Sequence, residues 1–330
     1  MADDIAVVGS ATPGQVTVTG RNDTTVDGVV NGSTTVNGVT ADLFIQLFGG
    51  DNVVSLDNLY IAGSISVYSG EHSDVITLGA TSPVSPARDL VISSGNGNDQ
   101  IYVDTTVYNV FVGGKLIVYP GQDADIVHMY GASALGDIVI DDHNGHNSIL
   151  VNGTTTASTL LVSTGEGNNQ IGILYSAASA FLNVDFNRTT SVIGKATNVY
   201  IDTVYSGAGM YVQDARGFAN AGSSTVSIFR ASAFQISLVT GVGSDSVHLY
   251  GNLVYAGNVA LRTDGGNDAV QINYCVVGQD LFAQLQDNDD TLSLVGNQVA
   301  RHASFDGGVG ANRLNQSANR FGTLTAVNFV

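Results

Sequence analysis

The sequence of 330 residues is poor in lysine, glutamate, proline and tryptophan. Lys115 and Lys195 are its only lysines, and Glu71 and Glu166 are its only glutamates. Because both residue types favour helices, their scarcity argues against a helical protein. Charged residues make up 12% of the chain, and the formal net charge is −18. Such a charge repels phosphate groups, so we expect neither nucleic acid nor an anionic membrane surface as a partner.

Cysteine and long apolar runs are also lacking. The single cysteine, Cys275, lies in the apolar stretch QINYCVVGQ. It excludes an internal disulfide and is typical of a small core residue rather than a nucleophile. No apolar run reaches the length of about 18 residues that a membrane helix needs, so we expect no membrane insertion. The opening MADDIAVVGS has neither the basic nor the apolar region of a signal peptide.

Aspartate and glycine are abundant instead. The chain contains 40 glycines, and all but two of its 29 acidic residues are aspartates. Aspartate, asparagine and glycine belong to turns, and 44% apolar residues are enough to form a core. The composition therefore predicts an all-β protein with many turns.

A repeat of about 22 residues runs along the chain. Taking Asp99 as a reference, Leu90 and Ile92 precede it by nine and seven residues, and Ile101 and Val103 follow by two and four. Equivalent reference positions are 52, 74, 99, 125, 147, 169, 191, 224, 245, 268, 290 and 312. Ten of these twelve are Asp or Asn, and only the interval from 191 to 224 departs strongly from the period.

This frame predicts a right-handed parallel β-helix, or β-solenoid, of about 12 coils. Apolar residues at alternate positions indicate short strands, and stacked coils would place Ile and Val on their equivalents in a continuous interior. A sandwich or barrel of short strands is the alternative, but neither requires a fixed repeat length.

We expect one solenoid domain over residues 1–330. Residues 1–40 are expected to form an irregular first coil that caps the N-terminal end. Regular coils are expected at 41–193 and 224–316, and an insertion or distorted coil at 194–223. Residues 317–330 are expected to cap the C-terminal end, since open strand edges recruit other chains.

The corners of the repeat read GNGND (95–99), GEGNN (165–169), GVGSD (241–245) and DGGND (264–268). Glycine there permits the positive φ of a tight turn, and Asx side chains can bond the turn backbone. One interpretation is a ladder in which stacked Asn and Asp side chains bond each other and the turn amides without metal.

The second interpretation comes from a resemblance. GNGNDQIY and GVGSDSVH resemble the calcium-binding nonapeptide of RTX-type exported bacterial proteins. The resemblance implies calcium held between coils by carboxylates. Carried over by position, the ligands are Asp74, Asp99, Asp125, Asp245, Asp268 and Asp290. The family motif recurs every nine residues, whereas this chain has one such corner per coil, and Asn replaces Asp at 52, 147, 169 and 312.

Two further motifs carry candidate chemistry. DDHNGH places Asp141, Asp142, His143 and His146 in one corner, which suits either a metal such as zinc or an exposed polar turn.

VHMYG (127–131) and VHLYG (247–251) are near duplicates whose alternation turns four side chains outward: His128, Tyr130, His248 and Tyr250. Tyr60, Tyr68, Tyr102 and Tyr119 extend the predicted exposed set. Exposed tyrosines can stack on sugars, although tyrosine also simply suits strands.

These features predict a non-catalytic structural or adhesive β-solenoid, extracellular or on a bacterial cell surface, with calcium as its candidate stabilising ion. Other surface proteins, glycans and end-to-end copies of the chain are the expected partners. The alternative is a carbohydrate-binding or polysaccharide-degrading parallel β-helix protein. Catalysis has less support, because basic residues are sparse and the paired carboxylates fall in corners.

Overall fold

The computed structural model describes residues 2–10, 12, 14–104, 110–186, 197–214 and 222–330. These residues form strands and turns. Among them no helix has the length and apolar character needed to cross a membrane. The chain divides into two compact units, unit 1 (Met1–Val162) and unit 2 (Ser163–Val330).

The described strands of unit 1 are β1 (Asp4–Gly9), β2 (Val16–Arg21), β3 (Thr25–Val26), β4 (Val29–Val30), β5 (Ser33–Val36), β6 (Leu43–Gln46), β7 (Val53–Asp57), β8 (Leu59–Ile61), β9 (Ile65–Tyr68), β10 (Val75–Leu78), β11 (Val84–Pro86), β12 (Leu90–Ser93), β13 (Gln100–Val103), β14 (Phe111–Val112), β15 (Leu116–Tyr119), β16 (Ile126–Tyr130), β17 (Ser133–Ala134), β18 (Ile138–Asp141), β19 (Ser148–Asn152) and β20 (Thr155–Thr156). The chain passes from unit 1 to unit 2 within β21 (Leu160–Ser163).

The described strands of unit 2 are β22 (Gln170–Leu174), β23 (Ala177–Ala178), β24 (Phe181–Phe186), β25 (Asn198–Asp202), β26 (Tyr205–Ser206), β27 (Gly209–Asp214), β28 (Thr225–Phe229), β29 (Ser232–Ala233), β30 (Ile236–Val239), β31 (Ser246–Tyr250), β32 (Leu253–Val254), β33 (Val259–Arg262), β34 (Ala269–Asn273), β35 (Val276–Val277), β36 (Leu281–Gln284), β37 (Thr291–Val295), β38 (Gln298–Asp306), β39 (Arg313–Ser317) and β40 (Arg320–Val327).

Both units are β-solenoids of parallel coils of about 22 residues, about 12 coils in all, as the repeat predicted. A regular coil contributes three strands, such as β16, β17 and β18, and each pairs in parallel with the equivalent strand one coil away. The three strands are separated by three corners. We call the one before the first strand, which contains the reference residue, the Asx corner.

The register stacks equivalent aliphatic side chains in unit 1. Ile76 pairs with Ile101, Ile101 with Val127, and Val127 with Ile149. None of these four side chains is more than 2% exposed. Burying such a side chain contributes about 1.5–3 kcal/mol, so the aliphatic column is the main source of stability.

Unit 2 follows the same rule. Val226 pairs with Val247, Val247 with Val270, and Val270 with Leu292. The single cysteine, Cys275, is buried and forms no disulfide, as expected for a core residue.

The segments outside the regular repeat also form strands. In residues 1–40, β1 pairs in parallel with β7, while β2 and β5 add antiparallel strands beyond it. The described part of the predicted insertion at 194–223 is a coil in register: β25 pairs with β22 and with β28. At the C-terminal end, β40 pairs in parallel with β38.

Candidate functional site

The reference residues form a hydrogen-bonded ladder along the Asx corner of unit 1. The Asn52 N–H donates to Asp74 Oδ1 at 2.7 Å, and the Asp74 N–H donates to Asp99 Oδ1 at 2.8 Å. The Asp99 N–H donates to Asp125 Oδ1 at 2.8 Å, and the Asp125 N–H donates to Asn147 Oδ1 at 2.9 Å. Each reference side chain therefore holds the backbone of the preceding coil.

Unit 2 contains the same ladder. The Ser224 N–H donates to Asp245 Oδ1 at 2.6 Å, and the Asp245 N–H donates to Asp268 Oδ1 at 2.8 Å. The ladder continues from Asp268 to Asp290 and from Asp290 to Asn312, both at 2.8 Å. All six residues predicted as calcium ligands thus lie in the ladder, three in each unit.

The strand register also identifies the ladder residue of the coil that follows Asn169, where the sequence repeat is interrupted. Gln170 pairs with Asn198, and Asn198 with Thr225, so Thr197 is equivalent to Asn169 and Ser224. The sequence frame assigned this position to Ser191, which lies outside the described residues. Thr197 is fully buried, like its equivalents.

Burial strongly affects the ladder carboxyls. Their second oxygen, Oδ2, is buried and lacks a hydrogen-bond partner in good geometry among the described residues, for Asp74, Asp99, Asp125, Asp245, Asp268 and Asp290 alike. Burial raises the pKa of Asp74 above 3.8, that of Asp99 and Asp268 to about 6, and that of Asp125, Asp245 and Asp290 to about 7. The donated backbone N–H partly opposes this shift. Near neutral pH the carboxyls of Asp125, Asp245 and Asp290 are therefore divided between acid and carboxylate.

The asparagines of the ladder show how an uncharged side chain fills the same position. In Asn52 and Asn312, Oδ1 accepts a backbone N–H and Nδ2 donates to a main-chain carbonyl. The Asn52 amide donates to Ser69 O at 2.9 Å, and the Asn169 amide donates to Gly165 O at 3.0 Å. Asn52 and Asn312 thus satisfy both ends of the side chain, whereas the ladder aspartates leave Oδ2 without a partner in good geometry.

The ladder geometry gives limited support to calcium. A calcium ion takes about six to eight oxygen ligands. Each ladder aspartate has committed Oδ1 to a backbone amide and has only its buried Oδ2 left. The described residues contain no group of three or more His, Cys, Asp or Glu side chains placed to hold a metal ion. Calcium at the six aspartates stays a prediction.

The DDHNGH corner is split between inside and outside. Asp142 is buried, whereas His143 and His146 are exposed, so the structure does not bring these candidate ligands together. Neither carboxylate oxygen of Asp142 has a hydrogen-bond partner in good geometry among the described residues. Burial, with the charge of Asp125 adding to it, raises the pKa of Asp142 to about 9. Asp142 is therefore a protonated acid at neutral pH.

Two more Asx ladders were missed by the sequence analysis. Before the third strand of a coil, Asp89 Oδ1 accepts the Lys115 N–H at 2.8 Å. Before the second strand, Asn297 Oδ1 accepts the Cys275 N–H at 2.9 Å. All three corners thus join adjacent coils by an Asx oxygen and a backbone N–H, but Asp89 accepts from the following coil whereas Asp99 and Asn297 accept from the preceding one. The available signal was an Asx residue shortly before these strands too.

The two VHxYG motifs alternate as predicted. Val127 and Val247 are fully buried, while His128 and Tyr130 are half-buried and Tyr250 is exposed. The ring centroid of His128 lies 5.6 Å from that of Tyr102 and 5.9 Å from that of Tyr130, both in edge-on contacts.

A larger exposed cluster lies in unit 2. Tyr200, Phe229, Tyr250 and Tyr274 come from four successive coils, and we call them the aromatic row. Successive ring centroids are 5.5, 6.2 and 5.3 Å apart. The three tyrosines are 45–54% exposed. The sequence analysis found only Tyr250 of the row, because the other members do not share its VHxYG motif.

An ion pair lies beside the aromatic row. The guanidinium of Arg230 binds both oxygens of Asp202, with Nε 2.9 Å from Oδ1 and Nη2 on Oδ2. The Thr203 hydroxyl donates to Asp202 Oδ1 at 2.9 Å, and the Tyr200 hydroxyl lies 3.4 Å from Oδ2. Hydrogen bonds from Arg230 lower the pKa of Asp202, so this carboxylate is ionised at neutral pH.

Arg230 and Tyr274 also occupy an unusual backbone position, directly after the first strand of their coils. Some coils place glycine there, as at Gly251 and Gly296 with φ of 64° and 66°, and others place Tyr175 or Thr203 with φ of 49° and 53°. Arg230 and Tyr274 adopt φ of 50° and 55° with large side chains. Such a conformation is rare for bulky residues and often marks a functional position.

No protein-family model matches the chain, and a search of curated proteins gave no match either. The RTX resemblance therefore rests on the corner motif alone, while the β-solenoid architecture rests on the strand register.

Proposed function

We propose that this chain is a non-catalytic β-solenoid of an extracellular or cell-surface protein, with a structural or adhesive role. The observation that carries this proposal is the use of the acidic residues. The six ladder aspartates each accept a backbone N–H from an adjacent coil. These acidic groups therefore hold coils together, which suits a rigid scaffold.

The experiment is a paired binding and turnover assay on the purified chain. The protein is immobilised and exposed to a panel of polysaccharides and to preparations of cell-surface proteins, while reducing ends and unsaturated sugars are measured in solution. We expect binding without product. Turnover of any polysaccharide would contradict the non-catalytic role.

Carbohydrate binding is the second candidate, and the aromatic row favours it. Four rings at successive coils offer apolar faces, and the tyrosines add hydroxyl groups at the exposed tips. A degrading enzyme would also need an ionised carboxylate near the row, and Asp202 Oδ2 lies 3.4 Å from the Tyr200 hydroxyl. In the turnover assay, activity that disappears in Asp202→Asn would support the enzymatic version of this alternative.

A further inference from the structure

The aromatic row has a geometry suited to an extended ligand. Its rings lie on four successive coils of unit 2, each 5.3–6.2 Å from the next. The largest interplanar angle in the row is 68°, between Tyr250 and Tyr274, so the rings are tilted rather than stacked flat on one another. Tilted rings leave parts of their faces open to a ligand that runs along the stack of coils.

Polar groups lie within the same surface. Arg230 has a 61% exposed side chain, and its two bonds to Asp202 use two of the five N–H donors of a guanidinium. Asp202 fixes the plane of that guanidinium. Apolar ring faces beside oriented N–H and O–H groups match a ligand with both C–H faces and hydroxyl groups, which is the chemistry of a sugar.

The charge of the surface selects among sugars. Asp202 neutralises Arg230, so the row has no unpaired cation from this ion pair to hold a carboxylated or sulfated sugar. The net charge of −18 repels polyanions further. A neutral glycan is therefore a better match than an anionic one.

The backbone position of Tyr274 provides a matched way to remove one ring of the row. Tyr274 adopts positive φ at a position where the coils on both sides use Gly251 and Gly296. Glycine fits this φ without strain, so replacing Tyr274 by glycine removes the exposed ring and keeps a backbone conformation that Tyr175 and Thr203 also adopt in other coils. Arg230 adopts a similar φ one coil before Gly251.

We propose that the aromatic row, together with Arg230, is a binding site for a neutral polysaccharide strand that lies across successive coils of unit 2. This inference rests on the binding role proposed above and names its ligand class. The same surface could be covered by a second copy of this chain, and the test below distinguishes the two.

The test measures binding of the full chain to a soluble neutral β-glucan, a soluble neutral mannan and polygalacturonate by affinity electrophoresis and calorimetry. The key variant is Tyr274→Gly, which copies the neighbouring coils and relieves the positive φ. We expect binding to at least one neutral glycan, weakened about tenfold in Tyr274→Gly, while the melting temperature stays equal or rises. The matched control is Tyr60→Ala, which removes a 60% exposed tyrosine from unit 1 and should leave affinity unchanged.

The outcomes are separable. Absence of binding to both neutral glycans, or stronger binding to polygalacturonate, would overturn the glycan inference. Binding that is equal in wild type and Tyr274→Gly would place the site elsewhere and leave the adhesive role intact. Self-association in size-exclusion chromatography that Tyr274→Gly abolishes would assign the row to a second copy of the chain. Glycan turnover would contradict the non-catalytic proposal without moving the site.

Discussion

Asp290→Asn tests whether the ladder carboxyls are destabilising when ionised. Asp290 Oδ1 accepts the Asp268 N–H at 2.8 Å, and its Oδ2 is buried without a partner among the described residues. Burial raises the pKa of Asp290 from 3.8 to about 7. Asparagine keeps the acceptor and removes the charge, as Asn312 does one coil further.

The magnitude follows from linkage between protonation and folding. Because the folded pKa lies above the unfolded one, the stability that the protonated carboxyl contributes is present below pH 4 and lost as the pH rises through 7. A difference of about three pKa units corresponds to about 4 kcal/mol, which is the upper limit of the effect at pH 8. We therefore expect Asp290→Asn to unfold at a higher urea concentration than wild type at pH 8, because its free energy of unfolding is about 1–4 kcal/mol larger. At pH 4 we expect the same free energy of unfolding for both proteins.

The adjacent residue supplies the control. Asp289 is exposed, and its Oδ1 accepts the Ala311 N–H at 2.8 Å, so Asp289→Asn removes the same charge from the same type of bond at the surface. We expect it to change the free energy of unfolding by less than about 1 kcal/mol. If Asp290→Asn gave no gain at pH 8, or an equal gain at pH 4, burial would not be the cause of the raised pKa.

Four further perturbations examine the architecture. Asp99→Leu leaves the Asp74 N–H without its acceptor and should cost about 1–3 kcal/mol in urea unfolding; an unchanged midpoint would contradict the ladder. Ile101→Ala opens a cavity in the fully buried column and should lower the free energy of unfolding by about 2–5 kcal/mol in the same assay. A loss smaller than that caused by an alanine substitution at an exposed position would be inconsistent with stacking. Gly97→Ala would place a Cβ 2.1 Å from His72 O at φ of 139°, so we expect little folded protein by circular dichroism, and normal folding would refute the corner geometry. If the predicted calcium binds, the melting temperature should be higher in millimolar calcium than in EDTA, and equal values would count against it.

The repeat made most of the architecture predictable. Inward positions such as Ile76 and Ile101 alternate with outward ones, and the spacing of Asx corners fixed which residues stack. Stacking depends only on period and alternation, both of which are visible in one sequence. The ladder position of Thr197 was not predicted, because additional residues between these coils interrupt the repeat and threonine does not share the Asx signature.

The candidate sites were less predictable, because they depend on side-chain direction and backbone conformation. The motif DDHNGH alone does not predict that Asp142 is buried while His143 is exposed, although the alternation of the preceding strand indicates which side chains face inward. Tyr274 and Arg230 adopt positive φ at a corner that some coils fill with glycine and others with larger residues such as Tyr175. Only the register brings residues from separate coils, such as Phe229 and Tyr250, into contact.

The most direct test of coil stacking is disulfide cross-linking between adjacent coils. Tyr102 and His128 are paired in register, and adjacent strands lie about 4.8 Å apart, within reach of a disulfide. The double variant Tyr102→Cys/His128→Cys should oxidise to an internal disulfide, whereas Tyr102→Cys/Tyr130→Cys, offset by two residues, should stay reduced. Cross-linking of the offset pair in preference to the in-register pair would contradict the stacked coils on which the ladder and the aromatic row depend.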